Sequence, residues 1–333
     1  MLNEFWFILI AVLFIGYFIL EGFDYGVGML YPLVSHNDHE RRMAINTIGP
    51  LWSGNEVWLI TAGGALFAAF PFWYATLFSG FYLALVLMLV GLIFRGVAIE
   101  YRSKMATERW HRTWDILLRT GSFLPALLWG VAFANLLQGV PINAQMNDVG
   151  GFWSLLTPYT ILGGVLSLLL FLAQGASFLT LKTTGTLRTA SLRLAKSLLT
   201  SVLIVALAFG IWTANLPTVD HRSIYLLLTG LGWISLFAAR WIIAKRQQWG
   251  FLLQSLMIAL STAGFFIALF PHVMISSVSP RDDLTIYNAA ANPYTLHVMT
   301  IVALTMVPIV LAYQVWTYWV FRKRITPQEH LEY

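Results

Sequence analysis

The run Gly49-Pro50-Leu51-Trp52-Ser53-Gly54-Asn55-Glu56-Val57-Trp58-Leu59-Ile60-Thr61-Ala62-Gly63-Gly64-Ala65-Leu66-Phe67-Ala68-Ala69-Phe70-Pro71 is apolar enough to enter a bilayer, yet carries Asn55 and Glu56 near its start. A carboxylate at membrane depth is costly unless it is paired or protonated. Gly63 and Gly64 are small residues that would let a second helix approach closely. The stretch therefore predicts a packed helix with one polar end rather than a greasy anchor. Two readings of Glu56 stand side by side. It is either a buried functional acid, or the last member of a Ser53-x-x-Glu56 capping box that satisfies backbone N–H groups at a helix start. Pro50 weakens the second reading, because it can open the helix one turn earlier.

The surroundings decide the class of protein. The chain has 333 residues, of which 58% are hydrophobic and 11% charged, with a mean hydropathy of +0.72. Soluble domains carry roughly twice that charged fraction. The expected fold is an all-α polytopic membrane protein, a single integral-membrane domain over residues 1–333. No basic n-region precedes the first apolar run and no cleavage site follows it, so that run is expected to be a true span. The absence of cysteine excludes cysteine-ligated iron–sulfur clusters, c-type haem attachment and disulfides within this chain.

Nine segments are long enough to cross, at about 20 residues each: near 5–33, 50–70, 72–100, 112–138, 152–181, 190–214, 223–244, 249–271 and 295–321. Phe70-Pro71-Phe72 is read as a tight turn, since Pro71 cannot continue a helix's hydrogen bonding. The Lys and Arg residues then fall very unevenly. One side holds Arg41, Arg42, Arg102, Lys104, Arg109, Arg112, Lys182, Arg188, Arg193, Lys196, Arg240, Lys245, Arg246, Arg322, Lys323 and Arg324. The other holds Arg222 and Arg281, while Arg95 and Arg119 lie within or near spans. That asymmetry places the N-terminus outside and the C-terminus in the cytoplasm. It also makes the formal net charge of +5 a topology signal rather than a nucleic-acid footprint. Trp6, Trp73, Tyr74, Trp110, Trp153, Trp249 and Trp319 are expected at the interfaces. The longest outer connection, 276–294, contains Pro280, Asp282, Asp283, Asn292 and Pro293, which read as turns. A faint echo links Thr61-Ala62-Gly63 with Thr262-Ala263-Gly264, but the spacing to the following Phe-Pro differs by one residue and supports no repeat.

Polar residues inside the spans carry the chemistry. Glu21 and Asp24 are three apart and share a helix face, among Gly22, Gly26 and Gly28. They are either a carboxylate pair on a proton path or a structural, salt-bridged pair. Arg95 ends a long apolar run and needs a counter-charge from Glu21, Asp24, Glu56 or another chain. Glu100 with Lys104, and Asp115 with Arg119, are four apart and read as ordinary helix pairs. Of the histidines, His36, His39, His111, His221, His272, His297 and His330, His297 alone is clearly within reach of a span. An axial haem pair is therefore not expected here, and no metal ligand set is expected in this chain. No Walker loop, dinucleotide fingerprint or His-Glu-x-x-His motif occurs. No complete catalytic constellation lies in the chain.

Long runs of residues resemble one family. They are Glu21-Gly22-Phe23-Asp24-Tyr25-Gly26-Val27-Gly28-Met29-Leu30, Asn37-Asp38-His39-Glu40-Arg41-Arg42, Gly54 through Ala69, Phe78-Ser79-Gly80-Phe81-Tyr82, Arg95, Tyr101-Arg102-Ser103-Lys104, and Gly130 through Pro141. Together the chain resembles subunit II of the cytochrome bd-type quinol oxidases, the bacterial terminal oxidases. The resemblance implies an oxidoreductase complex that oxidises quinol and reduces oxygen to water with protons from the cytoplasm, separating charge across the membrane. It implies a haem-free chain beside a paralogous subunit I that holds two haems b and haem d, with a small single-helix accessory subunit, membrane quinol and lipid as further partners. A bound structural quinone occurs in some members. The implied fold is two four-helix groups plus one peripheral helix, in the bacterial cytoplasmic membrane.

Residue by residue, the resemblance makes Trp58 an oxygen-entry candidate and Lys104 a proton-delivery candidate. Glu21, Asp24, Glu56 and Glu100 remain acids for a proton path, with Arg95 a buried structural charge. Ser53 stands where some members carry Asp; a hydroxyl relays a proton but does not store one as a carboxylate does. Without the resemblance, two other readings compete: a secondary transporter with ion-binding carboxylates, and a purely structural anchor.

Overall fold

The computed structural model describes residues 1–329 and 331–333, so His330 lies outside the described residues. The chain forms eleven α-helices among these residues: α1 (Leu2–Val34), α2 (Asp38–Ile48), α3 (Trp52–Ala69), α4 (Pro71–Gly80), α5 (Tyr82–Tyr101), α6 (Glu108–Gln138), α7 (Pro158–Lys182), α8 (Gly185–Ala214), α9 (Arg222–Ile242), α10 (Gln247–Leu269) and α11 (Pro293–Val320). Several starts follow from local chemistry. Thr157 accepts from the backbone N–H of Thr160 ahead of α7, and Asn292 accepts from that of Thr295 ahead of α11. Pro158 and Pro293 then occupy the first helical turn, where a missing N–H costs nothing.

Eight helices are long and apolar enough to cross a membrane, which makes the chain a polytopic α-helical membrane protein. At 33 residues α1 reaches about 50 Å, longer than a hydrocarbon core of about 30 Å. The stretch expected at 50–70 is the 18-residue α3, whose Asn55 and Glu56 keep it outside that apolar set. The span expected at 72–100 is divided. Pro71 opens the ten-residue α4, Phe81 separates it from α5, and the apolar span begins at Tyr82. The backbone bonds Phe81 N–H to Leu77 O and Leu85 N–H to Phe81 O run on through the joint, each at 2.9 Å, so hydropathy registers no break there.

Glycine pairs bring backbones together, among them Gly130 of α6 and Gly163 of α7, where a Cβ on Gly130 would lie 2.1 Å from the Gly163 carbonyl oxygen. A Cβ on Gly26 of α1 would lie 2.0 Å from the Phe171 carbonyl of α7, and one on Gly175 would lie 2.4 Å from the Gly26 carbonyl carbon. Gly91 of α5 and Gly121 of α6 make a similar crossing, where a Cβ on Gly121 would lie 2.6 Å from the Gly91 carbonyl oxygen. Gly63 and Gly64 differ from expectation: a Cβ on either meets no atom within 4 Å, so the close approach lies on α1, α7, α5 and α6 instead. An aromatic core of Phe14, Phe18, Trp129, Phe133 and Phe266 fills the centre between α1, α6 and α10. Trp6 and Trp73, expected at an interface, are packed inside. The Trp6 indole N–H donates to the Leu296 carbonyl at 3.2 Å and to Thr300 Oγ at 3.1 Å, tying α1 to an otherwise exposed α11.

The basic end carries α2, a helix outside the nine expected spans. Asn37 caps it by accepting from the Glu40 N–H at 2.9 Å. The C-terminal segment folds back over this end. Arg42 donates to the Leu331 carbonyl at 2.6 Å, and the Ile325 N–H to the Lys182 carbonyl at 2.7 Å. At the opposite end two short strands pair antiparallel: β1 (His272–Met274), just before the connection read as turns, and β2 (Leu284–Thr285), within it.

Candidate functional site

Residues 17, 21, 24 and 25 recur with helical spacing, so Tyr17, Glu21, Asp24 and Tyr25 share one face of α1. All four are fully buried. Facing them, α5 presents Arg95, whose guanidinium is also fully buried. Its Nη1 contacts Glu21 Oε1, its Nη2 donates to Glu56 Oε1 of α3 at 2.9 Å, and its carbon sits 4.8 Å from the Tyr25 ring centroid. Consecutive residues on α3 point about 100° apart. Glu56 therefore reaches α5 while Asn55 turns to α1 and α11. The Asn55 amide donates to Asp24 Oδ2 at 2.7 Å; its oxygen accepts from Tyr318 at 2.8 Å and from Gln314 at 3.1 Å. At the other side the Tyr17 hydroxyl meets that of Tyr25 and accepts from the Trp129 indole at 3.1 Å. Two polar groups thus lie side by side in the apolar interior: Tyr318, Asn55 and Asp24 in one, and Glu56, Arg95, Glu21, Tyr25, Tyr17 and Trp129 in the other.

One guanidinium faces three carboxyl groups here. Among the described residues Asp24 Oδ1 has no hydrogen-bond partner, and Glu56, whose side chain is 21% exposed, is the member that reaches the surface. The capping reading of Glu56 is overturned: the residue before α3 is Leu51, no side chain caps the helix, and the carboxylate is drawn to the buried cation instead.

A second cluster closes the basic end. Arg102, just past the end of α5 and fully buried, donates to Asp115 Oδ1 at 2.5 Å and to Asp38 Oδ1 at 2.8 Å. Arg41 reaches Asp115 Oδ2 at 3.1 Å, and the Tyr31 hydroxyl donates to Asp115 Oδ1 at 2.5 Å. Partial burial pushes the Asp38 carboxyl up, but the hydrogen bond and charge of Arg102 outweigh it and hold the group below its ordinary value. The local pair expected between Asp115 and Arg119 is therefore replaced by long-range partners, because Arg102 is the buried cation and Arg119 is exposed. Glu100 and Lys104 do not pair either: α5 ends at Tyr101, and the tighter turn over Arg102–Lys104 breaks the four-residue register.

The structure gathers Glu21, Asp24, Glu56 and Arg95 into one site. It leaves Ser53, Glu100 and Lys104 exposed and apart. Trp58 lies half-buried over Gly16 of α1, where a Cβ would meet its ring at 2.1 Å. Tyr17, Tyr25, Trp129, Gln314 and Tyr318 were not singled out from sequence, and Asn55 was noted beside Glu56 without a role of its own. The signal available for Asn55 was a second polar residue beside Glu56 in an apolar run.

His297 is exposed on α11, and His272 sits between Asp220 and Asp283 at 3.2 and 3.4 Å. His111 lies 3.5 Å from Asp38. Among the described residues no three His, Asp or Glu side chains come together as a metal-ligating group.

Residues 2–321 match the family model described as cytochrome bd terminal oxidase subunit II. The chain belongs to that family. The cytochrome bd ubiquinol oxidase subunit 2 of Bacillus subtilis (strain 168) is 44% identical over 335 residues, covering 100% of this chain and 99% of the relative. The cytochrome bd-I ubiquinol oxidase subunit 2 of Escherichia coli (strain K12) is 40% identical over 366 residues, covering 97% and 95%. A chain in the structure of bd oxidase from Geobacillus thermodenitrificans superposes with a TM-score of 0.78 at 16% identity, over 97% of this chain and 99% of that one, which shows a shared fold. Glu21, Asp24, Asn55, Glu56 and Arg95 all lie within the family match.

Proposed function

We propose that this chain is the haem-free second subunit of a bacterial terminal oxidase that oxidises membrane quinol and reduces oxygen to water with cytoplasmic protons. The haems, two b and one d, belong to subunit I, and a small single-helix subunit and lipid complete the assembly. Nine crossings, in two four-helix groups plus α11, set the N-terminus outside and the C-terminus in the cytoplasm. In this reading α3 is the ninth crossing, made tolerable because its acid is paired with Arg95.

The observation that carries the proposal is the buried cluster of Arg95 with Glu21, Glu56 and Asp24, extended through Asn55 to Tyr318. A surplus of carboxyls over cations inside hydrocarbon provides groups that take up and release protons. The hydroxyls and the Asn55 amide provide hydrogen-bonding neighbours along which a proton is passed. We assign Glu56 to proton entry, and Glu21 and Asp24 to storage. Arg95 is a structural charge. Ser53, Glu100 and Lys104 are surface relay points, and Trp58 borders the oxygen route. An apolar cavity of about 260 Å³ bounded by α6, α7, α8, α9 and α10, walled by Phe133, Phe171 and Trp233, suits the isoprenoid tail of a structural quinone.

Purification from native membranes tests the whole. An oxidase subunit comes out with a haem-bearing chain and a haem absorption spectrum that leaves with that chain. A protein isolated alone and active in ion transport would overturn the proposal, and haem retained after the partner is removed would overturn the haem-free assignment.

A further inference from the structure

We propose that a cavity at the basic end, between α7, α10 and α11, binds a phosphate-bearing anion, with the headgroup of an anionic membrane lipid as its resident ligand. The cavity has a volume of about 270 Å³ and is lined by Lys182, Arg322 and Arg324, with Gln248 beside them and Phe178 and Leu181 on the apolar wall. Lys182 is 9% exposed, and its ammonium donates to the carbonyls of Phe321 and of Lys323, the latter at 3.1 Å. Arg324 Nε donates to the Leu181 carbonyl at 3.0 Å, and Arg322 Nη1 to the Trp319 carbonyl at 2.5 Å. These carbonyls hold the three cations in place but carry no compensating charge. The acidic group nearest in effect is Glu329, whose charge reaches Lys182, but among the described residues no carboxylate lies within 4 Å of any of the three.

Three like charges around one cavity repel one another, and burying one of them is costly without a counter-ion. Each arginine commits one of its five N–H donors to protein, which leaves planar forks suited to phosphate oxygens. The apolar wall argues for a lipid rather than a free ion. A headgroup held at the cations lays its chains along Phe178 and Leu181, and basic pockets between transmembrane helices on the cytoplasmic side recognise anionic headgroups in this way. The inference stands on this cavity alone and does not use the proton reading of the acid cluster.

The full chain, purified with the membrane partners that accompany it and stripped of lipid by detergent exchange, is titrated with phosphatidylglycerol, phosphatidylcholine or inorganic phosphate. Bound lipid is counted by native mass spectrometry. Phosphatidylglycerol should bind saturably at one site that phosphatidylcholine does not fill. In the double variant Arg322→Gln, Arg324→Gln its dissociation constant should rise about thirty-fold, the loss expected for two basic residues at a membrane surface. Arg222→Gln, at the opposite end, should change nothing. If the double variant does not fold, Arg322→Gln alone carries the comparison, with a rise of about five-fold. Displacement of the lipid by millimolar inorganic phosphate would uphold the site and make free phosphate its ligand. The proposal is overturned if phosphatidylglycerol binds no better than phosphatidylcholine and phosphate does not bind, or if the arginine variants bind like the unaltered chain.

Discussion

The Asn55 side chain donates to Asp24 at 2.7 Å and accepts from Tyr318 at 2.8 Å, so one amide joins α1, α3 and α11 inside the apolar interior. Few other contacts hold α11, which is exposed along most of its length. Asn55→Leu keeps the volume but leaves Asp24 and Tyr318 without this partner. A buried polar group stripped of its hydrogen bond costs about 1–3 kcal/mol, so the melting temperature should fall, and proteolysis should cut sooner in the connection before α11. An unchanged melting temperature and cleavage pattern would show that α11 is held by other contacts.

Among the described residues Arg95 is the cation paired with Glu21 and Glu56, beside Asp24, and it is fully buried. Arg95→Ala strands acids whose partner is gone, which costs about 3–5 kcal/mol for a buried pair broken on one side. Adding Glu21→Gln to that variant removes the stranded charge and should restore part of the loss. Thermal unfolding of both proteins is the check. Equal stability of Arg95→Ala and the unaltered chain would mean that the cluster carries no net ion pairing.

Much of this site was legible in the amino-acid sequence, for a physical reason. Hydrocarbon makes an ionisable residue conspicuous, so Glu21, Asp24, Glu56 and Arg95 stand out in any apolar run. Which of them meet was not legible, because spacing reports neighbours along one helix and says nothing about neighbours across helices. Asp115 with Arg119, and Glu100 with Lys104, show the same limit: correct spacing on one helix lost to Arg102 in the first case and to a tightened turn in the second. Glycine misled for a related reason. Gly63-Gly64 and Gly26 look alike in sequence, yet only Gly26 has a backbone pressed against it. The amphipathic α2 escaped notice because its charges merge with the basic loops that set topology.

Glu56 joins the buried cluster to the surface, since its side chain keeps 21% of its exposure while bonding Arg95. Glu56→Gln preserves the acceptor that Arg95 uses and removes the exchangeable proton. The complex should assemble with normal yield and haem content, while oxygen consumption with quinol falls several-fold or more, in the range typical of a lost proton-transfer group. Normal turnover in a normally assembled complex would dismiss Glu56 as a proton carrier and leave it a structural partner of Arg95.

The Asp38 cluster makes a prediction about acid stability. Asp38 faces Arg102 at 2.8 Å and His111 at 3.5 Å, with Arg41 nearby on its own helix. Its folded-state pKa lies below the ordinary value, so the unfolded chain binds the proton more readily. The stabilisation it contributes is therefore fully present above the unfolded pKa of about 3.9 and is lost as the pH falls through the lower folded value. The carboxylate is 46% exposed, and solvent screening limits the effect to less than about 1 kcal/mol. Asp38→Asn should consequently melt slightly below the unaltered chain near pH 7, and the two should converge as the pH falls below about 4. A gap that persists undiminished in acid would mean that the Asp38 contribution comes from packing and Asn37-capped helix geometry rather than from its charge on Arg102.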